Sequence, residues 1–381
     1  MGVTAYDGLY SLLVFTVFLL PAVIAGIFGR QLRWYGILIS VPMLYMLCVG
    51  RLKQFLIFFV VELLLVYVYF KLKERFTSNY LYYGVFVISI LPVFYVKVQP
   101  YTHWNSIAFM GISYMGFRIW QLIMEIHDGH IKEFKWLDIL YFVSFFPALQ
   151  SGPIDRYQRF VDDISVEADA EKYKSEFLRP GLKKIALGIA YKFALANFIN
   201  AFCLLKIPTE VTLLHSVEYM YAYTLYLFFD FAGYSCMAIG TAYLLGVRAP
   251  ENFNLPFLAK NMKEFWERWH ISLSKWFGDY LFSRVVLNLI RNKWVKKQAT
   301  ATRIGYMVTM LTMGIWHGFT LYYIVYGLYQ GLALVLTDIY LKSKFYRGFM
   351  KTPHFKLVSR LVCFHVIAFG LLIFSGYLIK I

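Results

Sequence analysis

IGYMVTMLTMGIWHGFTLYYIVYGLYQGLALVLT, residues 304–337, holds no Lys, Arg, Asp or Glu. A helix that crosses a bilayer needs about 20 apolar residues. These 34 uncharged residues exceed one upright span and fall short of two full spans with a loop. A helix broken near Gly314, Gly318 and Thr320 into two short pieces fits the length. Such a break holds His317, in GIWHG (314–318), at membrane depth, where ionisable groups are rare and usually functional.

The rest of the chain has the same character. Of 381 residues, 60% are hydrophobic and 16% charged, with mean hydropathy +0.56. A soluble domain carries about 25% charged residues. The reading is an all-α polytopic membrane protein forming a single integral membrane domain over residues 1–381. Spanning-length runs lie near 9–29, 34–50, 54–70, 76–96, 106–124, 182–205, 219–247 and 361–379. Residues 136–150 suit a half-span, and 257–290 mix Trp, Phe and Leu with charges, as interfacial or re-entrant helices do. With the two pieces of 304–337, roughly ten to twelve membrane helices are expected. The first residues lack the basic start of a signal peptide, and Tyr6 stands where myristoylation at Gly2 asks for Ser or Thr, so 9–29 reads as a retained span.

The net charge of +16 fits cytoplasmic loops rich in Lys and Arg, facing anionic lipid. No basic soluble module is present to carry nucleic acid, so the bilayer and an acidic cytoplasmic protein are the partners to consider. Two basic stretches, 155–184 and 284–303, should face the cytoplasm; the second has six cations and no acid. The four cysteines form no Cys-x-x-Cys pair, and no metal is expected. His127 and His130 sit at i, i+3 but beside Gly129 in a loop, and His270 and His317 lack a third ligand at diagnostic spacing.

Among the charges in apolar runs, Lys97 and Lys192 read as side chains that snorkel to an interface. Asp230 is the one charge between Tyr219 and Val247. It must be neutral, paired or hydrated, either as a structural partner or beside a polar chamber. His270, in WERWHIS (266–272), and His317 each follow a Trp. A neutral imidazole in a desolvated pocket takes a hydroxyl proton near neutral pH, the requirement of acyl transfer. No nucleophile elbow, phosphate loop, dinucleotide fingerprint or zinc-protease motif competes.

FFPALQSGPIDR (145–156), FDFAGYSCMAIG (229–240), PENFNLPF (250–257), EFWERWHISLS (264–274) and GIWHG (314–318) together resemble the membrane-bound O-acyltransferase family, in that family's order, over a motif-bearing core of about 145–318. The resemblance implies a ring of membrane helices around a thinned centre, with His317 the essential catalytic histidine, His270 its companion, and Trp316 and Gly318 shaping the pocket. The short length and SGPIDR wording resemble the branch that passes D-alanine to teichoic and lipoteichoic acid. For that branch the donor is a thioester on the phosphopantetheine arm of an acidic, DltC-like D-alanyl carrier protein on the cytoplasmic side. The chain itself would bind no cofactor, and other D-alanylation proteins would act at the outer face. If 282–291 is helical, Phe282, Val286, Leu289 and Ile290 share one face, while Arg284, Asn288 and Arg291 share the other. That helix is expected to dock the carrier around Val286. The alternatives are an O-acetyltransferase of an exported polysaccharide or peptidoglycan, and a transporter or flippase.

Overall fold

Helices fill the chain wherever the apolar runs lie. The computed structural model describes residue 6 and residues 8–76, 78–103, 105–167 and 169–379. It is 76% helical, and the described residues contain no strand, only an isolated antiparallel bridge between Phe253 and Trp269. Gly2, read above against acylation, lies outside the described residues. The protein is an all-α, multi-pass membrane protein: among the described residues seven helices are long and apolar enough to cross a bilayer.

The residues group into two units, 1–190 with 233–250, and 191–232 with 251–381. The first opens with α1 (Leu9–Ile27), α2 (Arg33–Leu47), α3 (Leu52–Lys73), α4 (Asn79–Val98) and α5 (Ile112–His127). The half-span α6 (Trp136–Ser144) and the short α7 (Tyr157–Ile164) follow. Several of its buried charges are met by partners inside the protein, as hydrocarbon demands. Glu62 on α3 accepts from Ser89 Oγ on α4 at 2.7 Å. Arg118 on α5 donates to the carbonyls of Phe142, Val143, Phe145 and Ala148, which ties the FFPALQSGP turn to that helix. Asp163 accepts from Arg159 and Arg248. His127 hydrogen-bonds Tyr69 at 3.1 Å and stacks on Tyr82.

Two long helices follow: α8 (Ala170–Lys206), which contains π turns at Tyr173–Leu178 and Ala190–Ala196, and α9 (Leu213–Leu244). The second unit continues with short helices, α10 (Met262–Trp266), α11 (Ile271–Phe277) and α12 (Ser283–Arg291), in place of a span. Then come α13 (Gln298–His317), α14 (Leu321–Lys342), the short α15 (Lys344–Phe349) and α16 (Phe355–Phe374).

The deciding stretch differs from its expectation. It forms two regular helices of 20 and 22 residues, not two short ones. The helices continue past the uncharged run into Gln298–Arg303 and Asp338–Lys342, because their charged ends pair: Asp338 meets Arg303 at 3.1 Å, and Lys263 and Lys342 at 2.9 Å each. The break is confined to 318–320, and Gly314 lies inside α13. There it serves packing. A Cβ on Gly314 would come within 2.4 Å of the Tyr323 carbonyl, and one on Gly327 within 2.7 Å of the Met310 carbonyl. Gly327 and Gly331 form the G-x-x-x-G spacing that lets membrane helices approach closely.

Candidate active site

His317 is the last residue of α13, and the Gly318 N–H still reaches the Gly314 carbonyl at 3.3 Å. The chain then turns through an extended Gly318 and re-enters a helix at Leu321. This leaves the half-buried imidazole at the turn of the hairpin. Aromatic rings surround it: Trp316 at 4.6 Å, Phe374 at 4.9 Å, Tyr323 at 5.6 Å and Tyr326 at 6.5 Å between centroids.

His270 stands in a different setting. It precedes α11 with φ 44° and ψ 51°, the left-handed region that costs a non-glycine residue energy and recurs at functional sites. The PENFNLPF segment holds it there. Ile271 N–H donates to the Asn252 carbonyl at 3.0 Å, and Asn254 N–H to the Arg268 carbonyl at 2.9 Å, on either side of the Phe253–Trp269 bridge. Ser272 N–H and Oγ donate to Asn252 Oδ1 at 3.3 and 2.6 Å. A backbone N–H can only donate, so the atom facing it is the amide oxygen. The same oxygen lies 3.4 Å from His270 Nδ1. In the neutral ring that contact calls for the proton on Nδ1 and leaves Nε2 as the base.

His270 is 6% exposed, with Phe231 packed edge-on at 4.7 Å. It lies outside the seven spanning helices. Burial pushes its pKa down to about 3, with the His317 imidazole as a further cause. The His317 charge, the lesser of the two causes, acts on His270 although the residues are 47 apart in sequence.

A cavity of about 290 Å³ is lined by Trp266, Ile271, Phe277, Tyr306, Thr309 and Met313 among others, and neither histidine is in its wall. Ile271 follows His270, and Met313 is one helical turn before His317. Lys263, Glu267 and Lys275 supply its charged lining. Trp266 Nε1 and Thr309 Oγ1 are buried with no hydrogen-bond partner. Both residues line the cavity, a place where a polar ligand would satisfy them.

The other candidates fall as follows. Asp230 pairs with Lys192 at 2.5 Å, so Lys192 is held by an ion pair and does not simply snorkel as expected. Phe231, next in sequence, is the ring on His270. The 282–291 helix forms from Ser283, after a π turn over Gly278–Phe282. Its apolar face is split. Phe282 stacks on Tyr306 at 5.0 Å, and a Cβ on Gly305 of α13 would come within 2.8 Å of both Phe282 and Val286. Val286 is therefore half-buried on α13, not the centre of an open face, because Gly305 leaves room for it. The exposed apolar residues are Leu287, Ile290 and, beyond the helix, Trp294. Leu289 and Arg284 are half-buried and Arg291 is exposed.

Asn252 and Asp338 escaped the sequence reading. Asn252 lay inside a quoted motif, and it precedes His270 by 18 residues. Nothing in composition separates it from an ordinary turn asparagine. Asp338 bounded the uncharged run and was read as its end.

The sequence profile of the MBOAT, membrane-bound O-acyltransferase family matches residues 121–379. The chain belongs to this family. The membrane-bound O-acyltransferase match covers both histidines and α9 to α16. Among similar proteins, a teichoic acid D-alanyltransferase of Bacillus subtilis (strain 168) is 38% identical over 98% of this chain and 98% of its own length. One of Lacticaseibacillus rhamnosus is 36% identical over 100% of this chain and 99% of its own. A probable alginate O-acetylase, AlgI, of Pseudomonas aeruginosa is 34% identical over 63% of this chain and 44% of its own. The protein is thus a membrane-bound acyltransferase of a bacterial cell membrane.

Proposed function

We propose that this acyltransferase moves D-alanine from a carrier-protein thioester toward teichoic acid. The observation that carries the reading is end-to-end similarity to D-alanyltransferases combined with a histidine pair and a cavity walled by residues near both in sequence. The carrier's phosphopantetheine arm would lie in the 290 Å³ cavity, with its amides meeting Trp266 and Thr309. His317 Nε2 would take the proton of the acceptor hydroxyl as that oxygen attacks the thioester carbonyl. The C–S bond then breaks, and the leaving sulfur takes the proton back from the imidazolium. The products are the ester and the free thiol of the carrier. His270, neutral with Nε2 unprotonated, would orient the reacting groups or share the proton. The aromatic walls keep water from the thioester. The acceptor is teichoic acid itself or an intermediate supplied by other D-alanylation proteins at the outer face.

His317→Ala should abolish D-alanine on teichoic acid at unchanged protein level; retained esterification sinks the assignment. Docking of the acidic carrier is assigned to α12 and its exposed Leu287 and Ile290, flanked by Arg291. Leu287→Asp should release the carrier in a pull-down while leaving the seat of Val286 on α13 intact. The similarity to O-acetylases favours a second reading, acetyl transfer to an exported polysaccharide, and the 44% coverage of that relative weighs against it. Label transfer from D-alanyl carrier, against acetyl transfer without it, separates the two.

A further inference from the structure

A groove of about 630 Å³ runs along α14 and α16 and is closed at one end by α15. Met262, Ala333 and Cys363 are buried in its lining, while Leu336, Phe345 and Val362 are exposed. None of these residues lines the 290 Å³ cavity. At the α15 end the chain is uniformly cationic: residues 339–381 contain no Asp or Glu. Lys344, Arg347, Lys351 and Lys356 are exposed there. Among the described residues none of these four forms an ion pair, whereas Lys263, Arg303 and Lys342 are taken up by Asp338.

An apolar trough ending in uncompensated cations matches an anionic amphiphile. The cations sit at the C-terminal end of α14, the end that Asp338 joins to Arg303 and hence to the basic 284–303 stretch. The positive-inside rule puts that end in the cytoplasmic leaflet, where anionic lipids are enriched and basic pockets between helices collect their headgroups. A second copy of the chain fits poorly, because a two-fold contact would set one cationic rim against another. A neutral lipid would fill the trough but leave the rim without a counter-charge.

We propose that this groove is a binding site for an anionic glycerophospholipid of the surrounding bilayer, its chains along α14 and α16 and its phosphate at the Lys344–Lys356 rim. The site is independent of the acyl-transfer reading. The test is native mass spectrometry of the full chain purified in detergent, titrated with dioleoylphosphatidylglycerol or dioleoylphosphatidylcholine. The wild type should bind the first at least about tenfold more tightly, the effect of one to two basic residues near an anionic headgroup. Replacing Lys344, Arg347, Lys351 and Lys356 by Gln should bring the two lipids within about twofold of each other. Val362→Trp, which fills the groove from its exposed wall, should weaken both lipids and keep the preference. Equal binding of the two lipids by the wild type, or a preference that survives the four-Gln variant, overturns the proposal. So does a co-purifying second copy or peptide whose removal is needed before lipid binds.

Discussion

The two histidines reach the same neighbourhood by opposite routes. His317 is set by regular backbone: two long helices, packed on glycines, place the residue that ends the first of them. His270 is set by irregular backbone: short helices, a left-handed residue and an asparagine that binds the chain on both sides of it. A site held by helix packing is disturbed by volume. A site held by hydrogen bonds is disturbed by a lost acceptor.

Variants that exchange those sensitivities would break the comparison. The largest effect is expected at the hairpin. Gly327→Leu cannot be accommodated 2.7 Å from the Met310 carbonyl, and overpacking of this kind costs about 1–3 kcal/mol or more. Ester formation should vanish and the thermal midpoint should fall; an active, stable variant would show that the glycine contact does not position His317. Next comes His270→Ala, for which a loss of roughly 10²-fold in turnover is expected from a group sharing the proton transfer, with protein level unchanged. Turnover within twofold of wild type would leave His317 acting alone.

A smaller effect is expected at Asn252, a positioning residue. Asn252→Ala strands Ser272 and His270 without their acceptor, a penalty of about 1–3 kcal/mol. It should lower kcat more than it raises KM. Asn252→Asp keeps the acceptor oxygen and should recover most of the loss; equal defects in the two variants would make the role one of packing. The smallest effect is a pH dependence of stability. The folded pKa of His270 is depressed to about 3, below its ordinary value of about 6.5. Its contribution is therefore fully present above about pH 6.5 and is lost progressively as pH falls toward the folded value. The wild-type midpoint should drop between pH 7 and pH 5 by more than that of His270→Gln, and parallel curves would contradict the buried, neutral imidazole.

The same contrast explains what the sequence made legible. Regular helices leave a periodic, uncharged trace, so the spans and the break at Gly318 and Thr320 were visible from residues 304–337. Their true length was not, because it depends on which distant cations meet Asp338, and charge pairing across 75 residues, as for Lys263, leaves no local pattern. Both histidines stood out as imidazoles in apolar surroundings. Asn252 did not, since an asparagine between Glu251 and Phe253 looks the same whether it turns the chain or holds the His270 ring. The packing of α12 was not legible for a similar reason: helical spacing groups Phe282 with Val286, but only the gap at Gly305 shows that both rest against α13.

Asp338 and its three cations also act as a depth gauge. The carboxylate is one negative charge against Lys263, Arg303 and Lys342, so the cluster keeps a net positive charge and belongs at the water boundary. Arg303 and His317 are 14 residues apart on one helix, about 21 Å along its axis. The hydrocarbon layer is about 30 Å thick. Measured along α13, the imidazole thus lies about two-thirds of that thickness from the charged collar. On the proposed reading, a donor entering from the collar side would have to reach along most of α13, while an acceptor from the far side would have only a short descent.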